Sequence, residues 1–108
     1  MDSEKTEQGP NRAEIHVESL VTGDDAGFRM DLDATLQQTW DEGYRELDEV
    51  RRDGDTFQCA GAAEGQNLMD ELNLTLRQVR ERRICGDAHG SDRGVDFSFE
   101  IKGPSGGA

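Results

Sequence analysis

Residues Val95 to Lys102 alternate without a break: Val95, Phe97, Phe99 and Ile101 are apolar, while Asp96, Ser98, Glu100 and Lys102 are polar. Side chains on a strand point to opposite faces in turn, so this run predicts a β-strand with one buried face and one wet face. Such a strand cannot bury its apolar face alone. The rest of the chain must supply neighbouring strands and a covering layer.

Two earlier segments read as the neighbours. Ile15-His16-Val17-Glu18-Ser19-Leu20 alternates, as does Phe28-Arg29-Met30-Asp31-Leu32-Asp33, and the Gly/Asp-rich stretch from Thr22 to Gly27 separates them. Two period-two runs around a turn cluster predict a β-hairpin. The covering layer follows. Thr35-x-x-Gln38 fits a capping box, and Leu36, Trp40, Tyr44, Leu47 and Val50 recur every three or four residues. The predicted helix has one apolar stripe and an acidic opposite face, carries Gly43 where it packs on the sheet, and ends at Asp53-Gly54. Thr56-Phe57-Gln58-Cys59 is a short strand candidate. Leu68 is placed on a short edge strand, and Leu72, Leu74 and Leu76 on an extended approach to a second helix. That helix opens at Thr75-x-x-Gln78 and runs to about Arg83. Cys85 to Gly94 reads as a loop. The fold class is α+β: a mixed curved sheet packed on one main helix plus a short second one.

Composition decides whether such a fold is sustainable. Leu, Ile, Val and Phe number 20 of 108 residues, and the net charge is −12, which borders on the disordered class. All 20 lie between Ile15 and Ile101, so one thin-cored domain over residues 13–103 is expected. Flexible tails are expected at 1–12 and 104–108. The 24 acidic residues against 12 basic ones argue against nucleic acid and anionic membranes, which bind basic surfaces. No apolar run is long enough for a membrane helix, and Met1 to Pro10 has no apolar core for a signal peptide. Two cysteines do not make a disulfide framework. Cys59 is read as a small core residue, and the state of the pair is open. A cytoplasmic monomer fits these features.

The order of elements and the C-terminal end resemble the ubiquitin-like β-grasp family over roughly Glu14 to Gly107. "IHVESLVTG" looks like its first strand and turn, and "FRMDLDATLQQTWDEGYREL" like its second strand and capped helix. "DTFQCAG" looks like the third strand, "LNLTLRQVRERRI" like the late helical turn, and "VDFSFEIKGPSGG" like the last strand and diglycine tail. The ending "FEIKGPSGGA" is most similar to the ubiquitin-like proteins of bacterial conjugation operons. The resemblance implies a protein modifier with three partners: an activating enzyme, a conjugating enzyme and a JAMM-type processing peptidase. It also implies a setting in antiviral defence. Gly107, preceded by Gly106, would be adenylated by the ATP-using activating enzyme, carried as a thioester, and joined to a target protein by an isopeptide bond. Ala108 would be a cap removed after Gly107.

Physical chemistry is consistent with that role. The six residues after Lys102 span about 20 Å when extended. Gly106 and Gly107 lack Cβ atoms and fit a narrow channel. Lysine is scarce, with only Lys5 and Lys102, so Lys5 is the accessible acceptor for any chain building. Arg77, Arg80 and Arg83 (with Arg82) cluster on the second helix, either as a solvated face favoured by the helix dipole or as a docking patch for an acidic partner. Cys85, Asp87 and His89 lack a fourth ligand, so no metal site is assigned. His16 is read as solvated and Trp40 as core. No nucleophile–base set or phosphate loop stands out, so the chain is not read as an enzyme and needs no cofactor of its own. Two alternatives remain: a sulfur carrier with a C-terminal thiocarboxylate, and a non-conjugated acidic protein-binding module.

Overall fold

The computed structural model describes residues 12–62, 66–85, 89–91 and 94–104. The chain runs β1 (Arg12–Ser19), β2 (Asp25–Asp31), α1 (Leu36–Leu47), β3 (Thr56–Cys59), a 3-10 turn (Met69–Glu71), α2 (Leu76–Glu81), β4 (His89–Ser91) and β5 (Gly94–Lys102). The architecture is α+β, with a mixed sheet of order β2-β1-β5-β3. β1 pairs antiparallel with β2 and parallel with β5, and β3 pairs antiparallel with β5. β4 forms a hairpin with the start of β5, on the edge that β3 occupies further along. The stretch expected as a loop from Cys85 to Gly94 therefore contributes a strand.

Alternation works as the sequence predicts. Ala13, Ile15 and Val17 of β1 are buried, and they lie in register with Val95, Phe97 and Phe99. Phe57 of β3 sits opposite Ile101. α1 lies across this face with Leu36, Trp40, Tyr44 and Leu47 inward. Aromatic rings run through the core: Trp40 stacks on Phe57 at 5.9 Å between centroids, Phe57 meets Phe99 at 4.8 Å, and Phe99 stacks on Phe97 at 5.8 Å. Gly43 lies against Val17, where an added Cβ would sit at 3.5 Å, an ordinary contact distance. The other sheet face carries the polar set, with Arg29 paired to Glu14 at 2.8 Å across β1 and β2.

Both expected capping boxes are present. Thr35 and Thr75 each accept from the backbone amide three residues on, while Gln38 and Gln78 reach back to the cap amides. The two helix starts also seal each other. Leu36 and Gln37 donate to the carbonyls of Leu74 and Leu72, and Leu76 and Arg77 donate to those of Ala34 and Leu32. The matching segments Leu32-Asp33-Ala34-Thr35-Leu36 and Leu72-Asn73-Leu74-Thr75-Leu76 are related by this reciprocal bonding. Each helix thereby satisfies the donors that a free N-terminus would expose.

Two further expectations change, and the open state of the cysteine pair is resolved. α1 stops at Leu47 rather than running to Asp53-Gly54. Asp48 adopts the left-handed conformation (φ 59°) and donates to Arg45, while Glu49 donates to Tyr44, giving a Schellman ending. Val50 consequently leaves the apolar stripe and is exposed. Leu68 is buried and its amide bonds Phe57, but the segment continues as a 3-10 turn rather than a strand. Cys59 and Cys85 form a disulfide. Their separation of 26 positions said nothing about proximity. The pairing arises because the end of β3 and the turn after α2 meet at one edge of the core. Among the described residues no helix is long and apolar enough to cross a membrane.

Candidate functional site

β5 ends at the residues that lead toward the diglycine motif, and the surroundings of that exit are built from three segments. Ser19, fully buried at the end of β1, organises the first. Its hydroxyl accepts from the amides of Val21 and Thr22, and its carbonyl accepts from Gly23. The Leu20 amide donates to Ile101, which holds the turn beside β5. The second segment is the stretch after α1. The third is Gly103-Pro104.

A polar network joins them. The Tyr44 hydroxyl donates to Asp55 Oδ2 at 2.7 Å, and the Arg52 amide donates to the same oxygen at 3.1 Å. The Arg52 guanidinium spans Asp55, at 3.4 Å from Nε, and Glu49, at 3.0 Å from Nη2. The second oxygen of Glu49 accepts from the Thr22 hydroxyl at 2.7 Å. The network thus runs from the core face of α1 to the β1–β2 turn. Burial, reinforced by the Asp55 carboxylate, pushes the Tyr44 phenol up to about 12. Burial alone would raise Glu49, but the Thr22 hydroxyl and Arg52 more than offset it and hold the carboxyl below its ordinary value. The same two carboxylates, Glu49 first, raise Arg52. Asp55 is buried, and its Oδ1 has no hydrogen-bond partner among the described residues.

The root of the tail is packed against this network. A Cβ placed on Gly103 would lie 2.9 Å from Val21 Cγ2 and 4.0 Å from Asp55 Oδ1. Gly54 has φ +88°, and a Cβ there would lie 3.0 Å from Pro104 Cβ and Cγ. A side chain at Gly103 would force Val21 to shift, and Gly54 is favoured chiefly by its left-handed backbone angle. Pro104, two residues beyond the end of β5, lies against Gly54 and is itself exposed.

The sequence-predicted site residues divide into two groups. Gly106, Gly107, Ala108 and Lys5 lie outside the described residues, as does Asp87. Arg77, Arg80 and Arg83 are described, but they do not share one helix face. α2 ends at Glu81, Arg82 caps it, and Arg83 is left-handed at φ 55°. Arg77 pairs with Asp33 at 3.2 Å, ahead of α1 rather than on it, while Arg80 and Arg83 are exposed. His16 is exposed on β1 beside Asp25, at 3.3 Å, and Trp40 is buried.

Cys85 is bonded to Cys59, so it offers no thiolate to a metal. An open cleft of about 600 Å³ lies beside the disulfide, with Leu68, Ile84, Asp70 and Glu71 among its walls.

The Tyr44–Asp55–Arg52–Glu49–Thr22 network was not anticipated. One signal was available: a tyrosine on a buried helix stripe needs a partner for its hydroxyl, and Asp53-Gly54-Asp55 is the nearest polar turn. No protein-family model matches the chain, and no curated protein matches it.

Proposed function

We propose that the chain is a ubiquitin-like β-grasp modifier that is joined to target proteins through Gly107. The observation that carries this reading is the arrangement at the end of β5. A mixed sheet with β1 and β5 parallel and adjacent, one main helix on its inner face, delivers the chain at a rim formed by Val21 and Gly54. Ser105-Gly106-Gly107-Ala108 follows in sequence.

The chemistry belongs to partner enzymes. The peptidase cleaves the Gly107–Ala108 bond with water. The freed Gly107 carboxylate attacks the α-phosphorus of ATP, and pyrophosphate leaves. A cysteine thiolate then displaces AMP to give a thioester, and a target amine displaces the thiolate to give an amide. The modifier itself contributes an accessible, unbranched acyl group and a folded body for recognition.

The test uses the full chain in an extract of its native cells with ATP. Covalent adducts that require ATP and disappear on deletion of Gly106–Ala108 are the expected result. Binding partners retained after that deletion, with no adduct from the intact chain, would sink the modifier reading. That outcome would favour the acidic binding module, which has an observation of its own: Asp25, Glu18 and Glu100 stand in one row across β2, β1 and β5 on the polar face.

A further inference from the structure

β1 pairs along one edge of β5 from Val95 to Ile101, while the other edge is covered in two pieces. β3 covers Phe99 to Lys102, and the Ala60 amide adds a bond to the Ser98 carbonyl at 3.0 Å. β4, with three residues, covers Gly94 to Asp96. So short a ladder does not hold a strand by itself, and β4 depends on what fixes the chain leading into it. Up to Ile84 that chain is fixed by the ending of α2: Arg82 donates to Gln78, Arg83 to Arg80 and Ile84 to Val79. The next residue is Cys85, four positions ahead of His89, and it is bonded to Cys59, the last residue of β3. The disulfide therefore stands at the joint between the two pieces that cover the β5 edge.

Access decides whether such a bond reacts. A disulfide enclosed by packed side chains is closed to an attacking thiolate, and one on the wall of an open cleft is not. Cys59 and Cys85 are both half-buried, and both line the open cleft of about 600 Å³. Ala60, Gly61 and Ala62 give that cleft a wall without bulky side chains. The remainder of the fold has supports of its own. Phe57 is fully buried opposite Ile101, and the start of α2 is bonded to the start of α1 through the amides of Leu36, Gln37, Leu76 and Arg77. Neither support passes through the disulfide.

We propose that Cys59–Cys85 is a reduction site for a dithiol of the Cys-x-x-Cys class, and that its opening releases β4 from β5 while the rest of the fold persists. The proposal is independent of the modifier reading. One thiolate of the dithiol attacks a sulfur of the bond, forming a mixed disulfide and expelling the other cysteine as a thiolate. The second thiol of the reductant, deprotonated, then displaces the remaining cysteine and closes the reductant's own disulfide. Two electrons pass from the dithiol to the cysteine pair, and the two protons that the dithiol gives up end on the two cysteine sulfurs. The turn after Ile84 loses its tie to β3. Gly94 to Asp96 are left with unpaired backbone donors and acceptors, an open strand edge. The fold thus has a closed form in an oxidising compartment and an open-edged form where dithiols are supplied.

The experiment uses the oxidised full-length chain and dithiothreitol, a small dithiol. Reduction is followed without denaturant, by alkylation and intact mass, and again in urea concentrations below the unfolding transition. Amide hydrogen exchange is then compared, peptide by peptide, for the oxidised chain, the reduced chain and Cys59→Ser/Cys85→Ser. The expected rate of reduction is the same with and without urea, because the cleft admits the thiolate to the folded protein. Exchange across residues 89–96 is expected to rise about tenfold or more on reduction, with β1, β2 and α1 changing by less than about twofold. The serine variant should match the reduced chain; the reduced wild type alone decides the matter if the variant does not fold. A reduction rate that climbs steeply with urea overturns the proposal, since the bond would then open only through unfolding. Unchanged exchange at 89–96 overturns it as well, because β4 would not need the bond. So does a rise shared equally by every element, which would make the bond a staple of the whole domain.

Discussion

Removing the Cys59–Cys85 bond is the perturbation whose magnitude the structure sets most directly. The bond joins positions 26 apart. In the chain-entropy treatment, a loop of that length restricts the unfolded state by about 3.5 kcal/mol near room temperature. The loop encloses the 3-10 turn and α2. The N-terminal end of α2 stays tied to the start of α1 by the reciprocal amide bonds, so the loss should fall on the turn after α2 and on β4. Both cysteines are only half-buried, so Cys59→Ser/Cys85→Ser should leave no large cavity and should match the reduced wild type. For a domain of this size the shift corresponds to roughly 15–25 °C in thermal midpoint. Urea unfolding with and without a dithiol reductant measures the difference, and thiol titration of the unfolded protein confirms the bond. Oxidised and reduced protein unfolding within about 1 kcal/mol of each other would refute the reasoning.

Other outcomes follow from particular contacts. Gly43→Ala and Gly54→Ala make the same chemical change with opposite expected signs. The first gains about 0.5–1 kcal/mol of helix propensity at an ordinary contact distance. The second costs about 1–2 kcal/mol from its left-handed backbone and its approach to Pro104; equal signs in denaturant unfolding would contradict the tail-root geometry. Thr35→Ala and Thr75→Ala should each cost about 1 kcal/mol, and the pair should deviate from additivity because the two caps are bridged. Glu49 is held below its ordinary value in the folded state, so its contribution is complete at neutral pH and is lost as pH falls below about 4.3. The stability gap between wild type and Glu49→Gln should therefore narrow between pH 6 and pH 3.5.

Where structure depends on nearest-neighbour periodicity, it was legible. The alternation of Val95 to Lys102 and the two Thr-x-x-Gln starts correspond to β5 and to two capped helices, because period and cap chemistry are local. The misses share a cause. Val50 continues a helical spacing that Asp48 has already broken, and aspartate is a less obvious left-handed terminator than glycine. Cys59 and Cys85 meet only because β3 and the end of α2 arrive at one edge. That bond also weakens the cytoplasmic expectation, which leaned in part on the lack of a disulfide framework. The tail root was invisible for the same reason: Gly54 and Gly103 each face a residue distant in sequence.

The central claim is that Gly107 becomes an acyl donor. It is tested most directly by the mass of the protein recovered from its native cells, followed by sequencing of its C-terminal peptide. The account predicts a fraction lacking Ala108, with Gly107 linked through an amide to a residue of another protein. Recovery of the chain solely in unlinked form, with its C-terminal peptide intact through Ala108, would contradict it.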